Sequence, residues 1–143
     1  TQHFLKVYQF AQIIADAEGI TGETREILDI ATLMHDIGIR PCEEKYGHCT
    51  GKMQEEEGPA HACAMLKEAG CASETLIERV CWLIAHHHTY DAFEGLDYRI
   101  LIEADYLVNA YENSASRDAI RNMREKIFRT EMGKKLLDTM YLN

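Results

Sequence analysis

Residues 31–38 read Ala31-Thr32-Leu33-Met34-His35-Asp36-Ile37-Gly38. An adjacent histidine and aspartate closing an apolar run is the feature from which both fold and chemistry can be read. Upstream of the pair, Ile27, Ile30, Ala31 and Met34 recur at helical spacing, which predicts a helix over residues 23–36 with this stripe inward. Thr21 or Thr24 can cap its start, and Gly38 followed by Pro41 is expected to stop it. His35 lies one turn beyond Ala31, so the helix carries the His-Asp pair into the interior.

The flanking sequence has the same helical character. Phe4, Val7, Phe10, Ala11, Ile14 and Ala15 predict a helix over residues 3–18, ended by Gly19 and Gly22. Residues 39–54 show no period, and a loop of that length is usually a lid or a substrate-contacting arm. A third helix is expected over residues 55–68, its N-terminus favoured by Glu55, Glu56 and Glu57 through the helix dipole. Ser73 caps a fourth, which runs through Leu76, Ile77, Val80, Leu83 and Ile84 into His86-His87-His88. After a loop at residues 89–95, a fifth helix over residues 97–111 buries Ile100, Leu101, Ala104, Leu107 and Val108. One or two shorter helices follow from about Ser116. With no internal repeat and no alternating run long enough for a strand, the expectation is one all-α domain over residues 1–143.

Composition narrows the ligands. The 143 residues are 46% apolar and 27% charged, a normal balance for a soluble domain. The net charge of −9 repels a phosphate backbone, so a nucleic-acid polymer is excluded as the main partner. A small anion remains compatible if metal ions neutralise it locally. No stretch approaches a membrane span, and no basic segment precedes an apolar one as in a signal peptide, so a cytoplasmic location away from membranes is expected. Cys42, Cys49, Cys63, Cys71 and Cys81 include no Cys-x-x-Cys and are expected as reduced thiols. Cys42, His48 and Cys49 fit no common structural zinc spacing.

The chemistry-bearing side chains fall on apolar faces. His3 shares a face with Val7, Phe10 and Ile14; His87 follows Val80, Leu83 and Ile84; Asp105 lies between Leu101 and Val108. Buried carboxylates and imidazoles are costly unless paired or bound to a cation. Histidines and aspartates converging from four helices are best reconciled by a divalent metal.

Residues 31–38 resemble the signature of the HD-domain superfamily of metal-dependent phosphohydrolases. His3 matches its first histidine, and Ile102-Glu103-Ala104-Asp105-Tyr106 its late aspartate. Ile84-Ala85-His86-His87-His88-Thr89 resembles the His-rich segment of two-metal members, among them HD-GYP phosphodiesterases and bacterial HD-type diadenosine tetraphosphate hydrolases. The resemblance covers residues 3 to about 109. It implies an HD-domain-like bundle of five core helices with one or two short C-terminal helices. It also implies hydrolysis of a phosphate ester or nucleotide by metal-activated water, with one or two divalent ions per chain (Fe, Mn, Mg, Zn, Ni or Co).

The resemblance makes His3, His35, Asp36 and Asp105 the core ligands. Of the three consecutive histidines, His87 best continues its apolar face and is the expected ligand or proton-transfer group, with Asp36 the shared catalytic carboxylate. His86 and His88 then point sideways, toward substrate or solvent. Two-metal relatives place a further histidine at the start of the third helix; here Glu57 stands at that place and His61 one turn later. Either would complete a second site with His87, or Glu57 serves the helix dipole and His61 the core. Arg40, Lys45 and Lys52 are candidate phosphate contacts. The substrate is expected to be small and phosphorylated, a nucleotide among the options. The oligomeric state is left open, a dimer included. Competing expectations are an HD-type diiron oxygenase and a non-catalytic, metal-stabilised nucleotide-binding module.

Overall fold

The computed structural model describes residues 2–91 and 95–143. Eight α-helices occur among them: α1 (Gln2–Glu18), α2 (Gly22–Met34), α3 (Ile39–Tyr46), α4 (Gly51–Glu68), α5 (Glu74–His86), α6 (Leu96–Glu112), α7 (Arg117–Lys126) and α8 (Glu131–Leu137). A π-helical turn, Asp138–Leu142, ends the chain, and the described residues include no strand. None of these helices is long and apolar enough to cross a membrane.

α6 is the axis of the bundle. Ile100, Leu101, Ile102, Glu103, Ala104, Asp105, Leu107 and Val108 are all buried, so this helix is covered nearly all round. A helix in that position must be apolar on every face except where a buried polar group finds a partner. α1 and α2 lie on α6, α5 packs on α2, and α4 packs on α5. The five long helices expected from periodicity are all present, and Ser73 caps α5 by accepting from the Leu76 amide. Thr21 stands at the N-cap of α2 but makes no side-chain capping bond. Of the loop expected at residues 89–95, residues 92–94 lie outside the described residues.

The expected loop at residues 39–54 is corrected. It contains α3 and the first turn of α4. Pro41 sits in the first turn of α3, where a missing amide hydrogen costs nothing, so it opens a new helix beyond the α2 turn. Gly47 closes α3 in the left-handed conformation, φ 79°, with its amide on the Glu43 carbonyl. α3 buries only Cys42, and a helix with one buried side chain shows no apolar period. Thr50 then caps α4 by accepting from the Met53 amide.

The turn after His35-Asp36 is pressed against α4 through two glycines. A Cβ at Gly38 would lie 2.7 Å from the Gly58 amide nitrogen and 2.9 Å from its Cα; one at Gly58 would meet Ile84 Cγ2 at 2.6 Å. Gly38→Ala should therefore destabilise the protein by about 1–3 kcal/mol, because backbone atoms cannot rotate aside as a side chain can. Urea unfolding checks this, and wild-type stability would mean that α4 shifts freely against the turn.

Candidate metal centre

His35 is the C-cap of α2, Asp36 follows it in the turn, His3 stands in the first turn of α1, and Asp105 is on α6. The bundle brings their polar atoms to one point. His3 Nε2 lies 3.0 Å from Asp105 Oδ1 and 3.3 Å from Asp36 Oδ2. His35 Nε2 lies 3.3 Å from the same Asp105 oxygen and 3.4 Å from the same Asp36 oxygen. Two donors each about 2.1 Å from one cation stand roughly 3.0–3.4 Å apart at octahedral to tetrahedral angles. The other Asp36 oxygen, Oδ1, is 3.8 Å from His87 Nε2, and donor atoms of Asp36, His87 and His88 form a second close group.

The histidines are oriented by their other nitrogens. His35 Nδ1 donates to the Thr32 carbonyl at 2.7 Å and His87 Nδ1 to the Ile84 carbonyl at 2.6 Å. His3 Nδ1 faces Glu112 Oε2 at 3.0 Å. Carbonyls accept only, so each Nε2 of His35 and His87 carries the lone pair when the ring is neutral. Both Nε2 atoms are buried with no hydrogen-bond partner. An orphaned buried nitrogen aimed at carboxylates fits a cation between them.

Electrostatics tell the same story. Burial opposes charge on His35, yet the Asp105 carboxylate, helped by Asp36, raises its pKa to about 9. Burial would push Asp105 up, but His35 and His3 hold it far below the usual carboxylate range. Asp36 is likewise lowered against its burial, by His87 and His35. The hydrogen bond to Asp105 raises His3, against its burial. His88 moves the other way, lowered by burial and by the neighbouring His87. With no ion bound, protons supply the positive charge that the acid pair requires.

A cavity of about 260 Å³ opens onto the cluster, walled by Ile39, Gln54, His88, Asn109 and Glu112 beside His3, Asp36 and Asp105. None of these lining residues is Lys or Arg. His88 hydrogen-bonds Gln54 Oε1 through Nε2 at 2.9 Å, and Glu55 accepts from the His88 amide and the Thr89 hydroxyl.

The remaining expected site residues are not gathered there. Glu57 pairs with Lys45 at 3.1 Å and with the Tyr46 hydroxyl, and His61 is exposed. The cause is helix register: α4 begins at Gly51 and turns Gly58, Ala62 and Leu66 inward, which carries Gln54 rather than Glu57 to the site. His86 stacks on Trp82 and donates to its carbonyl at 2.7 Å. Arg40 is highly exposed and pairs with Glu44, and Lys52 is exposed. Gln54, Glu55, Asn109 and Glu112 escaped the sequence reading. Asn109 and Glu112 follow Asp105 by four and seven residues, the spacing of one helical face, and Gln54 precedes Gly58 by four.

A pH dependence follows. His35 is raised from its ordinary 6.5, so its charge stabilises the chelator-treated protein fully below pH 6.5 and progressively less as pH rises through about 9. Asp105→Asn should remove most of this slope and cost about 3–5 kcal/mol near pH 6, where it strands a buried imidazolium. Chemical unfolding at several pH values measures both, and an unchanged slope in the variant would contradict the pairing.

None of the curated proteins matches the chain. The crystal structure, at 1.45 Å, of a predicted HD superfamily hydrolase from an uncultured Thermotogales bacterium is similar to it, with a TM-score of 0.68 and 26% sequence identity over 99% of this chain and 72% of that one. The sequence profile of the HD domain matches residues 1–129, which include every donor of the buried cluster. The HD domains are metal-dependent and of hydrolase type, and this chain belongs to the HD domain family.

Proposed function

We propose that this protein is a metal-dependent phosphohydrolase that binds its ion through His3, His35, Asp36 and Asp105 and cleaves a small phosphate ester. The observation that carries the reading is the pair of buried Nε2 atoms of His35 and His87, without a hydrogen-bond partner yet facing the Asp105 and Asp36 carboxylates at 3.3 and 3.8 Å and held there by backbone carbonyls. When bound, a divalent ion lowers the pKa of its water toward neutrality and polarises a phosphoryl oxygen.

The chain's own residues do the rest. Asp36 offers Oδ2 to the His3–His35–Asp105 group and Oδ1 to His87, so a second ion would be held by Asp36 and His87. His88 donates Nε2–H to Gln54 Oε1 and keeps the lone pair on Nδ1. Burial keeps this ring neutral near pH 7, able to accept the proton that the attacking water releases. In the reaction, a water oxygen bonds to phosphorus as the ester P–O bond breaks. The departing oxygen takes up a proton, and phosphate and alcohol leave.

Asp36→Ala should abolish phosphate release from a panel of monoesters, diesters and nucleotides while retaining the helical circular-dichroism spectrum. The loss should be at least about 10³-fold, since the carboxylate both holds charge and positions the water. Metal analysis should show fewer ions than in wild type. Activity within about tenfold of wild type would refute the role. Replacing Glu57 and His61 together should leave metal content unchanged, whereas His87→Ala should remove an ion from a two-ion site. Iron with oxygen consumption and no phosphate release would turn the assignment toward an oxygenase. Tight nucleotide binding without turnover would turn it toward a binding module.

A further inference from the structure

A second cavity, of about 480 Å³, is also lined by His3 and Asp36. Its walls are Phe4, Leu33, Met34, Ile37, Ile39 and Met65, drawn from α1, α2, the turn, α3 and α4. Leu33 and Met65 are 43% and 52% exposed, so the core does not account for them. Large apolar side chains gathered around a concavity beside a reactive centre mark the place of an apolar ligand group. The space is well above the roughly 150 Å³ that holds a benzene ring.

The polar content of this cavity is small. Besides His3 and Asp36, which face the metal cluster, only Arg40 is charged, and its guanidinium pairs with Glu44 at 3.0 Å. No lining side chain is an amide or a hydroxyl. A site that reads a nucleobase needs donors and acceptors matched to the base edge, because specificity of that kind comes from paired polar groups. Arg40 apart, these walls offer mainly shape and apolar contact. The smaller cavity carries Asp36, Asp105 and Glu112 with no Lys or Arg, so it suits the metal-held phosphoryl group.

We infer that the group esterified to the phosphate is an unfunctionalised alkyl or aryl group, seated among Phe4, Leu33, Met34, Ile37, Ile39 and Met65. The substrate class is therefore an apolar phosphate monoester rather than a nucleotide. This deepens the phosphohydrolase reading and rests on it.

The test uses the Mn²⁺-loaded full chain and two readouts. The first is kcat/KM for methyl, butyl and hexyl phosphate and for adenosine 5′-monophosphate, followed by phosphate release. The second is Kd for the matching alkylphosphonates by calorimetry, which needs no turnover. Full burial is worth about fourfold per methylene, so both readouts should improve at least about thirtyfold from methyl to hexyl. Leu33→Asp and Met65→Asp, at exposed positions that tolerate polar side chains, should each flatten this slope at least about fivefold. Length-independent values in both readouts, or adenosine monophosphate favoured over hexyl phosphate by about tenfold, would overturn the inference. Length-dependent phosphonate affinity with no ester hydrolysed would uphold the apolar cavity and refute the phosphohydrolase reading instead.

Discussion

The central constraint on this bundle is the Asp105 carboxylate, charged and 1% exposed on the most enclosed helix of the protein. A lone carboxylate there would be prohibitive, and two imidazoles from different helices make it tolerable. His3 comes from α1 and His35 from the end of α2, both helices that lie directly on α6. Apolar contacts between helices are forgiving of small slides. The polar contacts are not, because a displacement of one turn on either helix would take one of the two imidazoles away from Asp105. The cluster thus fixes the register in which the leucine and isoleucine stripes meet.

Asp36 extends the same logic to α5. It lies in a turn too short to wander, held by Gly38 against Gly58 and by the immediate start of α3. From there its two oxygens face opposite groups, one toward His3 and His35 and the other toward His87. α5 ends at that point, and Glu55 of α4 ties down the His88 amide and the Thr89 hydroxyl just beyond. A residue at the start of α4 therefore sets where the His-rich end of α5 stops. The glycine contact and the carboxylate contact together make α4 a clamp on the site, even though its own Glu57 and His61 stay outside.

The helical period exposed most of this in advance. His3, Asp105 and His87 each continue a stripe of buried apolar residues, and the order His, His-Asp, His, Asp along those stripes is difficult to produce by chance. α3 was hidden because its eight residues bury one cysteine and carry a proline, so neither period nor propensity betrays it. The register of α4 was misread for a related reason. Its inward stripe is Gly58, Ala62 and Leu66, small side chains interrupted by Pro59, and the conspicuous acidic run beside it drew the helix start to Glu55. Glu112 was overlooked because it stands at the last residue of α6, where a carboxylate reads as solvated surface, yet it orients His3 from there.

The two cavities beside His3 and Asp36 make opposite physical demands on what they hold. His3 and Asp36 line both, one an acidic recess and the other walled mainly by apolar side chains. In a chain of net charge −9, an anion gains nothing from the acidic recess itself. On the proposed reading its attraction would come from a cation held by His3, His35, Asp36 and Asp105, which would link metal binding to phosphate binding. The apolar side works without charge, gaining from each carbon withdrawn from water. On that reading, specificity for a phosphoryl end would depend on the metal, and specificity for the organic end on side chains that never touch it. On the same reading, the ends of α1 and α2, with α3 and one side chain of α4, are the elements whose alteration would change substrate while the buried cluster on α6 stays as it is.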